Sequence, residues 1–192
     1  KLSHPAAGGL ECPFVSYTGN QPIRARDHFH ALREAKPDLR GIALYDRLDR
    51  ELEEDPHLEQ IQWKRREIEN YICRREVLLR FAREEAREAG GELFSEQFAA
   101  AMEEAIAEIE NALRTLGEPS PWGDDLKVSD EFLSRVFVKF YQKLGLPNLM
   151  NKSDYHRLAK HLEPGEIDPE MAGVLDAIHE IASRAGSAGR VW

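Results

Sequence analysis

Gly41-Ile42-Ala43-Leu44-Tyr45-Asp46-Arg47-Leu48-Asp49 is the stretch that decides the fold. A short unbroken apolar run that ends in turn-forming aspartates predicts a buried strand over residues 41–45. Upstream, Phe14-Val15-Ser16-Tyr17 predicts a shorter strand, closed by Gly19-Asn20-Gln21-Pro22. Ile23, Phe29 and Leu32 then mark a helix over residues 23–35, ended by Pro37. Downstream, the acidic run 50–56 reads as a loop, and residues 58–64 read as a third strand with Ile61 and Trp63 on one face. Strand, helix, strand and strand in that order predict the α/β class, with at least one right-handed crossover.

Beyond this part the apolar residues recur at helical spacing. Val77, Leu78, Phe81 and Ala82 mark one amphipathic helix, stopped at Gly90-Gly91. Phe94, Phe98, Met102, Ala105, Ile106, Ile109, Leu113 and Leu116 mark a longer one. Phe132, Val136, Phe137, Phe140 and Leu144 mark a third, and Tyr155, Leu158, Ala159 and Leu162 a short fourth. Asp168-Pro169 supplies an N-cap and a first-turn proline for the last helix, whose Met171, Val174, Leu175, Ile178 and Ile181 face inward. The tail 186–192 is small and polar and is expected to fray. The division that follows is an α/β part over 1–74 and an α-helical subdomain over 75–192.

The composition narrows the function classes. A net charge of −9 argues against a dominant basic surface. Unaided DNA affinity is therefore expected to be weak and steeply salt-dependent. Two cysteines, Cys12 and Cys73, have no metal-ligand spacing and make no disulfide framework. Neither a signal peptide nor an apolar run near eighteen residues is present, so the expectation is a cytoplasmic protein without a membrane segment. His28 and His30 are two apart on a helix and His156 and His161 five apart, off register for zinc. With no phosphate-binding glycine loop, this chain is not expected to bind ATP itself.

The candidate chemistry lies in acids. Asp46 and Asp49 follow a strand, the usual position for a site in an open α/β sheet, and carboxylates are hard ligands suited to magnesium or manganese. Arg66-Glu67-Ile68-Glu69-Asn70-Tyr71 brings two further acids about twenty residues on. Glu67 and Glu69 share a side if this segment is extended and diverge if it is helical. Lys152, at the start of a helix, is placed to neutralise charge on a phosphate. The competing reading makes Asp46 and Asp49 turn caps, and the glutamates and Lys152 solvated surface charges.

Four segments together resemble a known family. They are Gly41-Ile42-Ala43-Leu44-Tyr45-Asp46-Arg47, Trp63-Lys64-Arg65-Arg66-Glu67-Ile68-Glu69-Asn70-Tyr71, and Lys152-Ser153-Asp154-Tyr155-His156-Arg157-Leu158-Ala159 with Asp168-Pro169-Glu170. They look like the C-terminal Toprim nuclease region of OLD-family proteins, in which an ABC-type ATPase is fused to a Toprim domain in defence and DNA-repair systems. The segment from Gly19-Asn20-Gln21-Pro22 through His30-Ala31-Leu32 adds to the likeness.

The resemblance implies a partial Toprim-like, Rossmann-like sheet with a crossover helix, followed by a helical subdomain that supplies a lysine. It implies a DNA endonuclease that uses magnesium or manganese, two ions as a rule. ATP would act only through an ATPase domain upstream. Asp46 matches the first acid of the family's Asp-x-Asp pair, and Glu67 or Glu69 the acid on the following strand. Lys152 matches the family lysine, and Arg66 would contact phosphate. The second acid of the pair is replaced by Leu48, so Asp49 can serve only through a turn. The family's metal-binding glutamate, in a Glu-Gly setting on a first strand, has no counterpart before Phe14. The expectation is thus a piece of a longer chain, with DNA, the upstream ATPase domain and a second copy as partners. The alternative is a degenerate Toprim scaffold without catalysis.

Overall fold

The computed structural model describes residues 3–10 and 15–184. Cys12, Phe14 and the tail 186–192 lie outside them. The chain is mixed α/β and mostly helical, with one small two-stranded parallel sheet. By compactness it divides into two units: residues up to Trp63 together with those from Ile167 onward, and residues 64–166. The sequence-based boundary at 74/75 follows element type, so the two divisions are different cuts.

The first unit holds helix α1 (Ala6–Leu10), helix α2 (Pro22–Ala35), strands β1 (Gly41–Tyr45) and β2 (Leu58–Gln62), and the last helix, Pro169–Arg184. β1 and β2 are parallel neighbours, registered from Gly41 opposite Leu58 to Tyr45 opposite Gln62. The amide of Trp63 adds one more bond to Tyr45 O at 2.9 Å, so the expected strand 58–64 ends two residues early. Gly41 lets α2 approach, since a Cβ there would stand 2.7 Å from the Phe29 ring.

The strand expected at 14–17 does not form over its described residues. Val15 and Tyr17 are 76% and 95% exposed, and without a partner edge so short a run cannot offset its ordering entropy. In consequence α2 links no two strands of the sheet among the described residues, and the expected helical crossover is absent there. The connection between the parallel strands is instead the irregular segment 46–57.

The second unit is helical. It contains a 3₁₀ turn at Ile68–Tyr71, helix α3 (Arg75–Gly90), helix α4 (Ser95–Leu116), a π turn at Ser129–Leu133 that runs into helix α5 (Ser134–Lys143), and a 3₁₀ segment at Lys152–His161. Its core is Leu78, Phe81, Met102, Ile106, Phe132, Phe137, Phe140 and Tyr155, each at most 1% exposed. Phe81 meets Phe137 edge-on at 5.4 Å, and Phe137 stacks on Tyr155 at 5.8 Å. Gly117, with φ +74°, ends α4 in the left-handed conformation. Helix α6 is the first unit's Pro169–Arg184; its Val174 is buried, while Met171, Leu175, Ile178 and Ile181 are half-buried.

Candidate functional site

The candidate residues fall in both units. Asp46 and Asp49 belong to the first, and Arg66, Glu67, Glu69 and Lys152 to the second. Each group is set by its own local chemistry.

Asp46 leaves β1 at the carboxyl end of the parallel pair and is half-buried; Asp49 is exposed and left-handed, with φ +52°. Aspartate tolerates that backbone better than most residues. Arg47 Nε stands 3.3 Å from Asp49 Oδ1. The turn is pinned from β2 by a residue the sequence reading missed. Gln62 Oε1 accepts from Leu48 N at 3.0 Å, and its Nε2 donates to Arg50 O at 3.1 Å. One amide thus brackets Asp49. Gln60 Nε2 likewise donates to Glu53 O at 2.7 Å. Asp55 closes the connection: its Oδ1 accepts from the amides of His57 and Leu58, and its Oδ2 pairs with His30 Nε2 at 2.6 Å. Burial opposes ionisation there, but the His30 bond and the two amides outweigh it and hold the Asp55 carboxyl down at about 2.

In the second unit the hexapeptide turns at its third residue. Glu67 is extended, with φ −154° and ψ 168°, and caps the 3₁₀ turn that contains Glu69. The two glutamates therefore play different parts. Glu67 is 3% exposed and forms a capping box with Asn70. Its Oε1 accepts from Ser129 N at 2.5 Å and its Oε2 from Ser129 Oγ at 2.9 Å. A buried carboxylate is tolerable only with such donors, and the start of a helical run supplies them. Asn70 Oδ1 accepts from Glu67 N at 3.1 Å, and its Nδ2 donates to Gly123 O and Leu126 O. Arg66 N donates to Asp124 O at 2.7 Å. Arg65 lies 5.0 Å over the Tyr71 ring. The hexapeptide thereby grips the segment 123–129. Glu69 stays half-buried.

Lys152 opens its 3₁₀ segment behind a capping box of Asn151 and Asp154. Its Nζ donates to Asp130 Oδ1 at 2.9 Å, while Lys127 Nζ stands 2.6 Å from Asp130 Oδ2. These two ammonium groups, Lys127 first, hold the Asp130 carboxyl below its ordinary range, and Asp130 raises Lys127. Burial, followed by the charges of Asp130, Glu69 and Glu67, pushes the Tyr155 hydroxyl up to about 12. The hexapeptide acids and the carboxylate that holds Lys152 thus act on one buried tyrosine. Ser129, Asp130 and Asn70 escaped the sequence reading. A polar residue before an apolar helix is the one signal Ser129 offered, and Asp130 offered none.

Among the described residues no group of three or more His, Cys, Asp or Glu side chains is gathered closely enough to hold a metal ion. No described helix is long and apolar enough to cross a membrane. No family model, curated protein or solved structure matches the chain.

Proposed function

We propose that this chain is the nuclease part of an OLD-type protein, a Toprim-like region that hydrolyses DNA phosphodiester bonds with two magnesium or manganese ions. An ATPase domain upstream in the parent chain governs it. The observation that carries the reading is Asp46 at the carboxyl end of a parallel strand pair, on a turn pinned by Gln62. The likeness of the segments 41–47, 63–71 and 152–159 to that family supports it from the sequence side.

The carboxylates of Asp46 and Asp49, on the first unit's turn, suit hard cations and would hold them there; Glu67, matched to the family acid as an alternative to Glu69, already spends both oxygens on Ser129. Such ions, when bound, stabilise the attacking and leaving oxygens of a phosphodiester. Lys152 would place its ammonium against a non-bridging phosphate oxygen, and Arg66 would hold a neighbouring phosphate in the fork of its guanidinium.

A second reading, a Toprim-like scaffold without catalysis, is favoured by Leu48 in place of the family's second aspartate and by the commitment of Glu67. Nicking of supercoiled plasmid by the parent polypeptide, with magnesium or manganese, separates the two. Nicking that Asp46→Ala reduces at least about a hundredfold supports the nuclease. Nicking by Asp46→Ala at the wild-type rate removes Asp46 from the mechanism, and no nicking by the wild type favours the scaffold.

A further inference from the structure

Asp130 accepts two lysines on opposite oxygens, Lys152 on Oδ1 and Lys127 on Oδ2. The backbone under it is held firmly. Ser129, just before it, is fully buried and clamped through its amide and hydroxyl by Glu67. Phe132 and Leu133 of the same π turn are also fully buried. Lys152 is the opposite case, a half-exposed side chain on the first residue of a 3₁₀ segment. Left alone, such a side chain spreads over many rotamers, and fixing it costs side-chain entropy.

We propose that Asp130 is the positioning residue of Lys152, and that Glu67 acts through it by fixing the turn that carries Asp130. The inference rests on Lys152 as the phosphate-contacting residue of the function proposed above. An ammonium group has three N–H donors. One is spent on Asp130, and the other two face a phosphate from a fixed point. Lys127 offsets the negative charge of Asp130, so the trio keeps a net positive charge towards an anionic substrate. The hexapeptide and Lys152, which the sequence offered as separate pieces of a site, become one mechanical chain: Glu67, Ser129, Asp130, Lys152.

Two readouts test this. The first needs no activity: metal-free protein is treated briefly with acetic anhydride, and acylation of Lys152 relative to Lys160 is read by peptide mass spectrometry. Asp130→Asn is expected to raise the relative rate at Lys152 about threefold or more, and Asp130→Glu to return it towards wild type. The second is plasmid nicking, in which Asp130→Asn is expected to lower kcat about tenfold or more with KM within about twofold, and Asp130→Glu to recover part of the loss. A thermal melt of each variant confirms that it is folded. Wild-type acylation and wild-type kcat in Asp130→Asn, with Lys152→Ala inactive, overturn this inference alone. Wild-type nicking by Lys152→Ala overturns the reading of Lys152 and the inference together.

Discussion

Glu67 is an acid the sequence offers as a metal ligand whose oxygens the protein's own donors engage. Its carboxylate is buried, and it answers two donors of Ser129, itself fully buried. Glu67→Ala strands both donors without an acceptor and is expected to cost about 2–4 kcal/mol of stability. Ser129→Ala removes only the hydroxyl and is expected to cost about 1 kcal/mol. Urea denaturation of the two variants checks the order, and equal small losses would contradict it. The hexapeptide stood out in the sequence because it brings two acids about twenty residues after the aspartates that close β1. Its role was not legible, because the partner lies 62 residues away, and nothing in the residue types says that a glutamate will meet a serine amide rather than a cation.

At the level of elements, β1 and α2 were readable almost to the residue, from an apolar run closed by aspartate and a helical stretch ended by Pro37. The strand expected at 14–17 was not realised over 15–17, since a strand is made by its neighbour as much as by its own sequence. The irregular link 46–57 was legible as a loop but not as an ordered one. Its order comes from Gln60, Gln62 and Asp55, polar residues whose spacing carries no periodic signal. Asp55 gives the link a pH signature. Its carboxyl is held at about 2, below the unfolded value of 3.8, so its contribution is fully present above about pH 4 and is lost as the pH falls towards 2. Acid titration followed by circular dichroism is expected to show stability falling over that window, with a shallower fall in Asp55→Asn. An identical slope in the variant would show that Asp55 does not hold the link.

Across the whole molecule, helical periodicity made the second unit legible, because each helix buries one stripe against its neighbours. The compact division was not, because the last helix, Pro169–Arg184, groups with residues 106 or more positions earlier, and contacts of that range leave no mark on local sequence. Asp46 and Asp49 belong to the first unit and Glu69 and Lys152 to the second, and the formal charge of −9 over the chain has to be offset wherever an anionic substrate is held. The proposed nuclease needs Asp46 to hold a hard divalent cation, which calorimetric titration of manganese into wild-type protein and Asp46→Ala measures without any turnover. A saturable heat is expected in the wild type and is expected to be lost in Asp46→Ala. The same heat from both proteins, or none from the wild type, would contradict it.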